Sequence, residues 1–212
     1  MQILDDISQF LQKGRAPQVK ELVTKALEEN VPAQTILDDS LLSAMSIVGE
    51  KFKNNKVFVP EVLIAARAMN AGLEILKPYL IKAGEVEKGT IVLGTVKGDL
   101  HDIGKNLVKI MMEGKGIKVV DLGVDVPAER FIEAAEETGA KLICCSALLT
   151  TTMGEMENIV ALRKQSNLPT FVKVMVGGAP VTQDYCEKIN ADLYSPDAAS
   201  AAEIALKYMQ SA

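Results

Sequence analysis

The sequence predicts two units of different build, an antiparallel four-helix bundle followed by a doubly wound, five-stranded parallel α/β sheet. Three observations predict it. From Met1 to about Gly84 apolar side chains recur with helical period and no alternating strand signal appears. After Gly89 the pattern becomes short β-branched runs separated by helix-length segments. Between the two lies the polar link Gly84-Glu-Val-Glu-Lys-Gly89, which puts a helical domain at 1–86 and an α/β domain at 87–212.

In the first domain Ile3, Ile7, Phe10 and Leu11 fit one helix, and Val19, Leu22, Val23 and Ala26 a second, with Gly14 and Pro17 punctuating the gap. A third runs from about Pro32 to Lys51 with Ile36, Leu41, Leu42, Met45 and Val48 on its face. Pro60 opens a fourth, through Val62, Ala66, Met69, Leu73 and Leu76, which is expected to end before Pro78. In the second domain Thr90–Val96 reads as a buried parallel strand. Lys118–Leu122, Leu142–Ser146, Phe171–Val176 and Leu193–Tyr194 read as four more, with helices near 103–115, 128–138, 153–166, 181–190 and 197–210. Ligands of such sheets bind beyond the carboxyl ends of the strands, near the topological switch point.

Composition narrows the function classes. Of 212 residues, 48% are apolar and 24% charged, so there is material for real cores, but aromatics are only 4% and Trp is absent. With a formal charge of -5, the chain lacks both the basic surface and the stacking platforms of a nucleic-acid binder. No stretch approaches the roughly 20 apolar residues of a membrane span, and the start MQILDDISQFLQKG lacks the pattern of a signal peptide. Adjacent Cys144 and Cys145 with distant Cys186 form no disulfide framework, which fits a reducing cytoplasm. In a buried strand the first two behave as small hydrophobes. The acidic stretch Glu129–Glu137 reads as a solvated helix face.

Chemistry concentrates in Gly94-Thr-Val-Lys-Gly-Asp-Leu-His-Asp-Ile-Gly-Lys-Asn106, which leaves the first strand and enters a helix. It holds the only histidine, His101. Neutral imidazole offers one nitrogen to a transition metal, while the other can donate to a carboxylate that fixes the tautomer. Asp99, two residues earlier, is placed for that role. Gly98 and Gly104 let the loop turn and a bulky ligand approach the backbone. A plainer reading makes His101 a surface residue and Asp102 a cap for the helix at Ile103. One histidine without Cys or His neighbours cannot build a zinc site, but it can supply one axial position to a metal held by a macrocycle. Two further segments fall on the same sheet edge. Leu142-Ile-Cys-Cys-Ser-Ala-Leu-Leu-Thr-Thr-Thr-Met153 presents hydroxyls at Ser146, Thr150, Thr151 and Thr152, and Val176-Gly-Gly-Ala-Pro-Val181 places Gly177 and Gly178 after the fourth strand. Each alone reads as an ordinary strand end; together they suggest a shared pocket.

The run DLHDIGKN, the following SALLT and the later GG resemble the base-off, His-on cobalamin-binding domains, such as the cobalamin module of methionine synthase and those of adenosylcobalamin mutases. The resemblance implies a flavodoxin- or Rossmann-like sheet in which His101 binds cobalt from below in place of the cofactor's benzimidazole. It implies Asp99 as its partner and Gly104 lining the slot for the nucleotide tail. Ser146 and Leu148 match positions beside the buried benzimidazole, and Gly177 and Gly178 the paired glycines near the tail. Thr152 stands where the methionine synthase module has the serine of its ligand triad. Asp102, Ile103 and Thr150, in the same runs, join the expected cofactor-binding set.

The amino-terminal half selects the branch. Phe52-Lys-Asn-Asn-Lys-Val-Phe-Val-Pro-Glu-Val62 resembles the stretch in methyl-transferring proteins where a helical bundle caps the upper corrin face, with Phe52, Val59 and Val62 as apolar contacts. Core positions in the bundle are the plain alternative. Size and layout resemble the free-standing corrinoid subunits of anaerobic methyltransferase systems that serve methylamines, methanol, betaines or aromatic methyl ethers. The resemblance implies a methyl-carrier subunit, not catalytic alone, using methylcobalamin and cob(I)alamin or a related corrinoid. Its implied partners are a substrate-specific methyltransferase, an acceptor methyltransferase delivering to a thiol or tetrahydrofolate-type acceptor, and a reductive activating protein. The alternative is a cobalamin-dependent sensor or regulator. A flavin protein of flavodoxin type is a weaker rival, because it leaves His101 unexplained.

Overall fold

Apolar residues at helical spacing bury one stripe of each amino-terminal helix. The structure, a computed structural model, describes residues 2–83 and 88–211, and it divides near residue 86 into two compact units. The first holds α1 (Gln2–Gln12), α2 (Ala16–Glu28), α3 (Ala33–Ile36), a π-helical segment (Leu37–Leu42), α4 (Ser43–Lys53) and α5 (Val59–Ala83). Ile7, Leu11, Val19, Val23, Ile36, Leu41, Met69 and Leu76 are its wholly buried side chains of largest consequence.

Two details differ from the sequence expectation. The third rod is not uniform: the chain runs from α3 through the π segment into α4. Leu41 lies five positions after Ile36, and the wider π turn keeps both buried on one side. The fourth helix does not stop before Pro78 but carries it inside α5. Pro78 and Glu74, whose carbonyl loses its helical partner, are both exposed, so water can take up that acceptor. Most of the polar link, residues 84–87, lies outside the described residues.

The second unit contains β1 (Thr90–Thr95), α6 (Ile103–Glu113), β2 (Lys118–Asp121), α7 (Ala128–Thr138), β3 (Leu142–Ser146), α8 (Gly154–Gln165), β4 (Lys173–Gly177), α9 (Gln183–Lys188), β5 (Leu193–Ser195) and α10 (Ala198–Ser211). All strand pairs are parallel, and their order is β2-β1-β3-β4-β5. The chain thus steps from β1 to one side for β2 and returns to the other side for β3. The switch point lies between the carboxyl ends of β1 and β3, where Thr95 is in register with Ser146. Strand β4 begins at Lys173, later than expected, because Val172 is held in a turn: its N–H donates to Pro169 O at 2.9 Å and its carbonyl accepts from Arg163 Nε at 2.7 Å.

Helices α6 and α10 pack together, as do α7 and α8. Val92, Val96, Ile143, Cys145, Val174 and Val176 form one core with Phe131, Ala134, Met156 and Ile159. Gly94 makes room in β1, since a Cβ there would stand 2.8 Å from the Phe131 ring. Helix α7 shows the local logic: Glu129 sits in its first turn, and Gly139 ends it with φ 64°. No described helix is long and apolar enough to cross a membrane.

Phe131 is wholly buried against β1 and α8. Phe131→Ala is expected to lower the unfolding free energy by about 3–5 kcal/mol. Urea denaturation of the two proteins checks this; a loss below about 1 kcal/mol would mean that the core tolerates the cavity.

Candidate functional site

A parallel strand leaves its last carbonyls and the following loop at one edge of the sheet, and here two such edges meet. The loop after β1 is pinned to its own strand: Thr95, buried, donates from Oγ1 to the His101 carbonyl at 2.8 Å, and the Asp99 N–H donates to Val96 O at 3.1 Å. Gly98, with φ 79°, makes the reversal that turns Asp99 inward.

The Asp99 carboxylate is wholly buried and accepts five hydrogen bonds. Its Oδ1 accepts from the His101 N–H at 3.1 Å and from His101 Nδ1 at 2.6 Å. Its Oδ2 accepts from the N–H of Leu148 at 2.7 Å, the N–H of Leu149 at 3.2 Å and Thr152 Oγ1 at 3.0 Å. The single Thr152 hydroxyl proton is shared with Leu149 O at 2.9 Å. Burial alone would push the carboxyl up, but the bonds from Leu148, His101 and Leu149 outweigh it and hold Asp99 well below the usual carboxylate range. A carboxylate that stays ionised is an acceptor only, so Nδ1 carries the proton of the neutral ring. Nε2 is left with its lone pair, on a side chain 51% exposed. Among the described residues no group of three His, Cys, Asp or Glu could hold a metal ion. The arrangement therefore offers one oriented nitrogen donor, not a chelate.

The surroundings suit a large, flat, partly apolar group. Leu100 and Ile103, on either side of His101 in the chain, are 72% and 73% exposed, and Leu148 and Leu149 stand out beside them. These side chains sit against water around the imidazole, an arrangement that a covering ligand would relieve. Beyond them, Gly104 opens onto space: a Cβ there would meet nothing within 4 Å. Ser146 is partly buried at the end of β3, and its hydroxyl makes no hydrogen bond among the described residues, so it is available to a ligand.

Not every expected residue joins this group. Asp102 accepts the first helical bond of α6 from Asn106 N at 2.7 Å, and its carboxylate accepts from Asn106 Nδ2 at 3.1 Å, which is the helix-entry role. Thr150 is exposed in the turn and does not reach Asp99. Gly177 and Gly178 have packing reasons of their own: added Cβ atoms would lie 3.1 Å from Ser195 O and 1.9 Å from Ala147 O, the latter at φ 130°. In the helical unit Phe52 and Val59 are half-buried, while Val62 is wholly buried, a core position.

The sequence reading missed the charged pair beneath the loop. Lys105, with its side chain 2% exposed, donates from Nζ to Asp121 Oδ1 at 2.7 Å and to Asn106 Oδ1 at 2.8 Å. Asp121 also accepts from Gly123 N at 3.0 Å. Burial would raise its carboxyl, but the Lys105 bond and its neighbours lower it. The pair ties the first turn of α6, just after His101, to the end of β2. Lys105 stands seven residues before the buried Met112, on one face of an amphipathic helix, and that spacing was the available signal.

Comparison with known proteins gives the family. The B12 binding domain model matches residues 89–204, and a second model of the same description matches residues 3–77. A corrinoid protein of Desulfitobacterium hafniense (strain Y51) is 41% identical over 212 residues, covering 99% of this chain and 98% of its own. Trimethylamine corrinoid protein 1 of Methanosarcina mazei is 45% identical, covering 84% of this chain and 83% of its own. Among solved structures, the methanol:cobalamin methyltransferase complex MtaBC from Methanosarcina barkeri superposes with a TM-score of 0.88 at 30% identity, covering 100% of this chain and 81% of that chain. An oriented imidazole at the β1/β3 switch point, on a chain matched along nearly its whole length, places the protein among those built to hold a corrinoid. The chain belongs to the B12-binding corrinoid proteins.

Asp99 sets a pH dependence for the folded protein. Its carboxyl is lower when folded than the roughly 3.9 of an unfolded chain, so its contribution is present above that value and is lost as pH falls below it. The unfolding free energy of the protein without cofactor is expected to fall between about pH 5 and pH 3, with a flatter profile for Asp99→Asn. Urea midpoints across that window measure it; identical slopes would place the dependence elsewhere.

Proposed function

We propose that this chain is the methyl-carrier subunit of a multi-component methyltransferase, holding its corrinoid base-off with His101 as the lower ligand. The observation that carries the reading is the 2.6 Å contact of His101 Nδ1 with the buried, ionised Asp99. A bound corrinoid supplies the cobalt on which a methyl group is received and released; the protein binds it, orients it and tunes its axial ligand.

The side chains divide the work. His101 presents Nε2 to the metal, and Asp99 holds the ring in the tautomer that makes this possible. Thr152 donates to Asp99 Oδ2 in place of a serine and keeps the carboxylate from turning away. A bound corrinoid would be held through His101 Nε2, and Asp99 would keep the ring oriented through its contact with Nδ1. Leu100, Ile103, Leu148 and Leu149 cover the lower ring surface, and the opening at Gly104 with the free Ser146 hydroxyl receives the displaced nucleotide tail.

Among the described residues the carboxylate beside His101, that of Asp99, is fully engaged by hydrogen bonds, which suits a carrier served by other enzymes. One partner methyltransferase loads the methyl group from a small methylated donor, and a second passes it to a thiol or tetrahydrofolate-type acceptor, with a reductive activating protein restoring the active oxidation state. The trimethylamine corrinoid protein and the methanol:cobalamin methyltransferase complex support such a role by name. In the helical unit Phe52 and Val59 are the candidates to cover the upper side. A cytoplasmic setting suits the free thiols Cys144, Cys145 and Cys186; burial pushes that of Cys145 up to about 12, out of reach of disulfide exchange.

The protein reconstituted with hydroxocobalamin is expected to show a base-off, His-on visible spectrum, and His101→Ala is expected to lose the imidazole signature. An unchanged spectrum would remove His101 as ligand. Transfer from bound methylcobalamin to a thiol by an added methyltransferase should be detectable; an inert methyl group would favour a sensor over a carrier.

A further inference from the structure

Four non-glycine residues with positive φ are described, and three are asparagines just past helix ends: Asn30 after α2, Asn55 after α4 and Asn190 after α9. Each closes its helix by donating its N–H to a carbonyl three residues back. The fourth, Asp125 at φ 54°, follows no helix. It lies on the loop between β2 and α7, within two residues of Gly123, in a conformation that a glycine takes without steric cost.

What Asp125 does with that conformation is to bracket one peptide unit of the ligand loop. Its Oδ1 accepts from the Gly98 N–H at 2.7 Å, and its own N–H donates to the Asp99 carbonyl at 3.0 Å. The loop that carries it is itself fixed to β1, since Thr95 N–H donates to Gly123 O and Val126 N–H donates to Thr95 O, both at 3.0 Å. Gly98 has no Cβ to restrict its dihedrals, and its left-handed φ is held only by hydrogen bonds. The bond at its N–H goes to a carboxylate, the stronger kind. Rotation at Gly98 would swing the Asp99 side chain out of its nest and carry the imidazole with it.

We propose that Asp125 is a positioning residue for the axial ligand: by clamping Gly98 and Asp99 from the neighbouring loop, it presets the Asp99–His101 pair before any cofactor arrives. The proposal rests on His101 being the lower ligand. It assigns to the loop after β2 a part in ligand strength, although the His101 hydrogen bonds go to Thr95 and Asp99. Preorganisation of this kind strengthens binding by lowering the ordering cost at the moment the bond forms.

The test uses the full chain reconstituted with cob(II)inamide, which lacks the benzimidazole that would give a nitrogen splitting of its own, and the imidazole nitrogen splitting of its electron paramagnetic resonance spectrum, which then separates His-on from His-off protein. Asp125→Gly keeps the backbone bond, relieves the strain and deletes the acceptor; it is expected to lower the His-on to His-off ratio about tenfold, the worth of one such bond. Its unfolding midpoint should be no lower than that of the wild type. Asp125→Asn keeps an acceptor oxygen and a side chain tolerant of positive φ, and should stay within about threefold of the wild type. An unchanged ratio in Asp125→Gly, with the splitting abolished in His101→Ala, would overturn the positioning role alone. A ratio that falls only together with the unfolding midpoint would overturn it too, as would Asp125→Asn falling as far as Asp125→Gly. Splitting that persists in His101→Ala would overturn the ligand assignment itself.

Discussion

The second unit depends on one buried carboxylate that joins two loops across the switch point of its sheet. Asp99 belongs to the loop after β1, yet three of its five hydrogen bonds come from the loop after β3. A buried anion is costly unless it is fully satisfied, and this one is satisfied only when Leu148, Leu149, Thr152 and His101 all take their places. The two loops are therefore ordered together or not at all. Orientation of the imidazole is a by-product of that requirement: the ring must give Nδ1–H to Asp99, and Nε2 is then the only nitrogen left to offer.

Below this centre lies a second charged pair, Lys105 with Asp121, and beside it the bracket formed by Asp125. Each fixes a different stretch of the same segment, the first α6 and the second the Gly98–Asp99 peptide. The result is an oriented donor among exposed apolar side chains. A site organised in this way binds and tunes a cofactor that carries its own reactivity.

Much of this was legible in the sequence. Periodicity alone separated the helical half from the alternating half, and the order of strands and helices implied the parallel sheet. The pairing of Asp99 with His101 was readable because two residues of a tight loop are close whatever the fold does, and Thr152 came from a resemblance that the 3.0 Å contact now supports geometrically. What was not legible depended on distant contacts. Pro78 inside α5 breaks a local rule because its neighbourhood is exposed, which sequence period does not reveal. The π segment was written in the five-residue step from Ile36 to Leu41, but a helix of ordinary period accommodates the same residues with little penalty in any pattern count. Lys105 reads as a surface lysine until Asp121 is brought beneath it from β2, sixteen positions away. Gly178 carries a packing demand that the sequence does not show, since a Cβ added there would lie 1.9 Å from Ala147 O. Sequence pattern conveys period and local pairs; it does not convey which loop another strand will deliver.

The most direct test of the whole account is a crystal structure of the full chain grown with cobalamin. His101 Nε2 is expected to be the axial donor to cobalt, with Nδ1 still on Asp99 Oδ1 and the displaced nucleotide tail entering beside Gly104 and Ser146. Cobalamin bound with its own benzimidazole or water in the lower position, and His101 turned away, would contradict it.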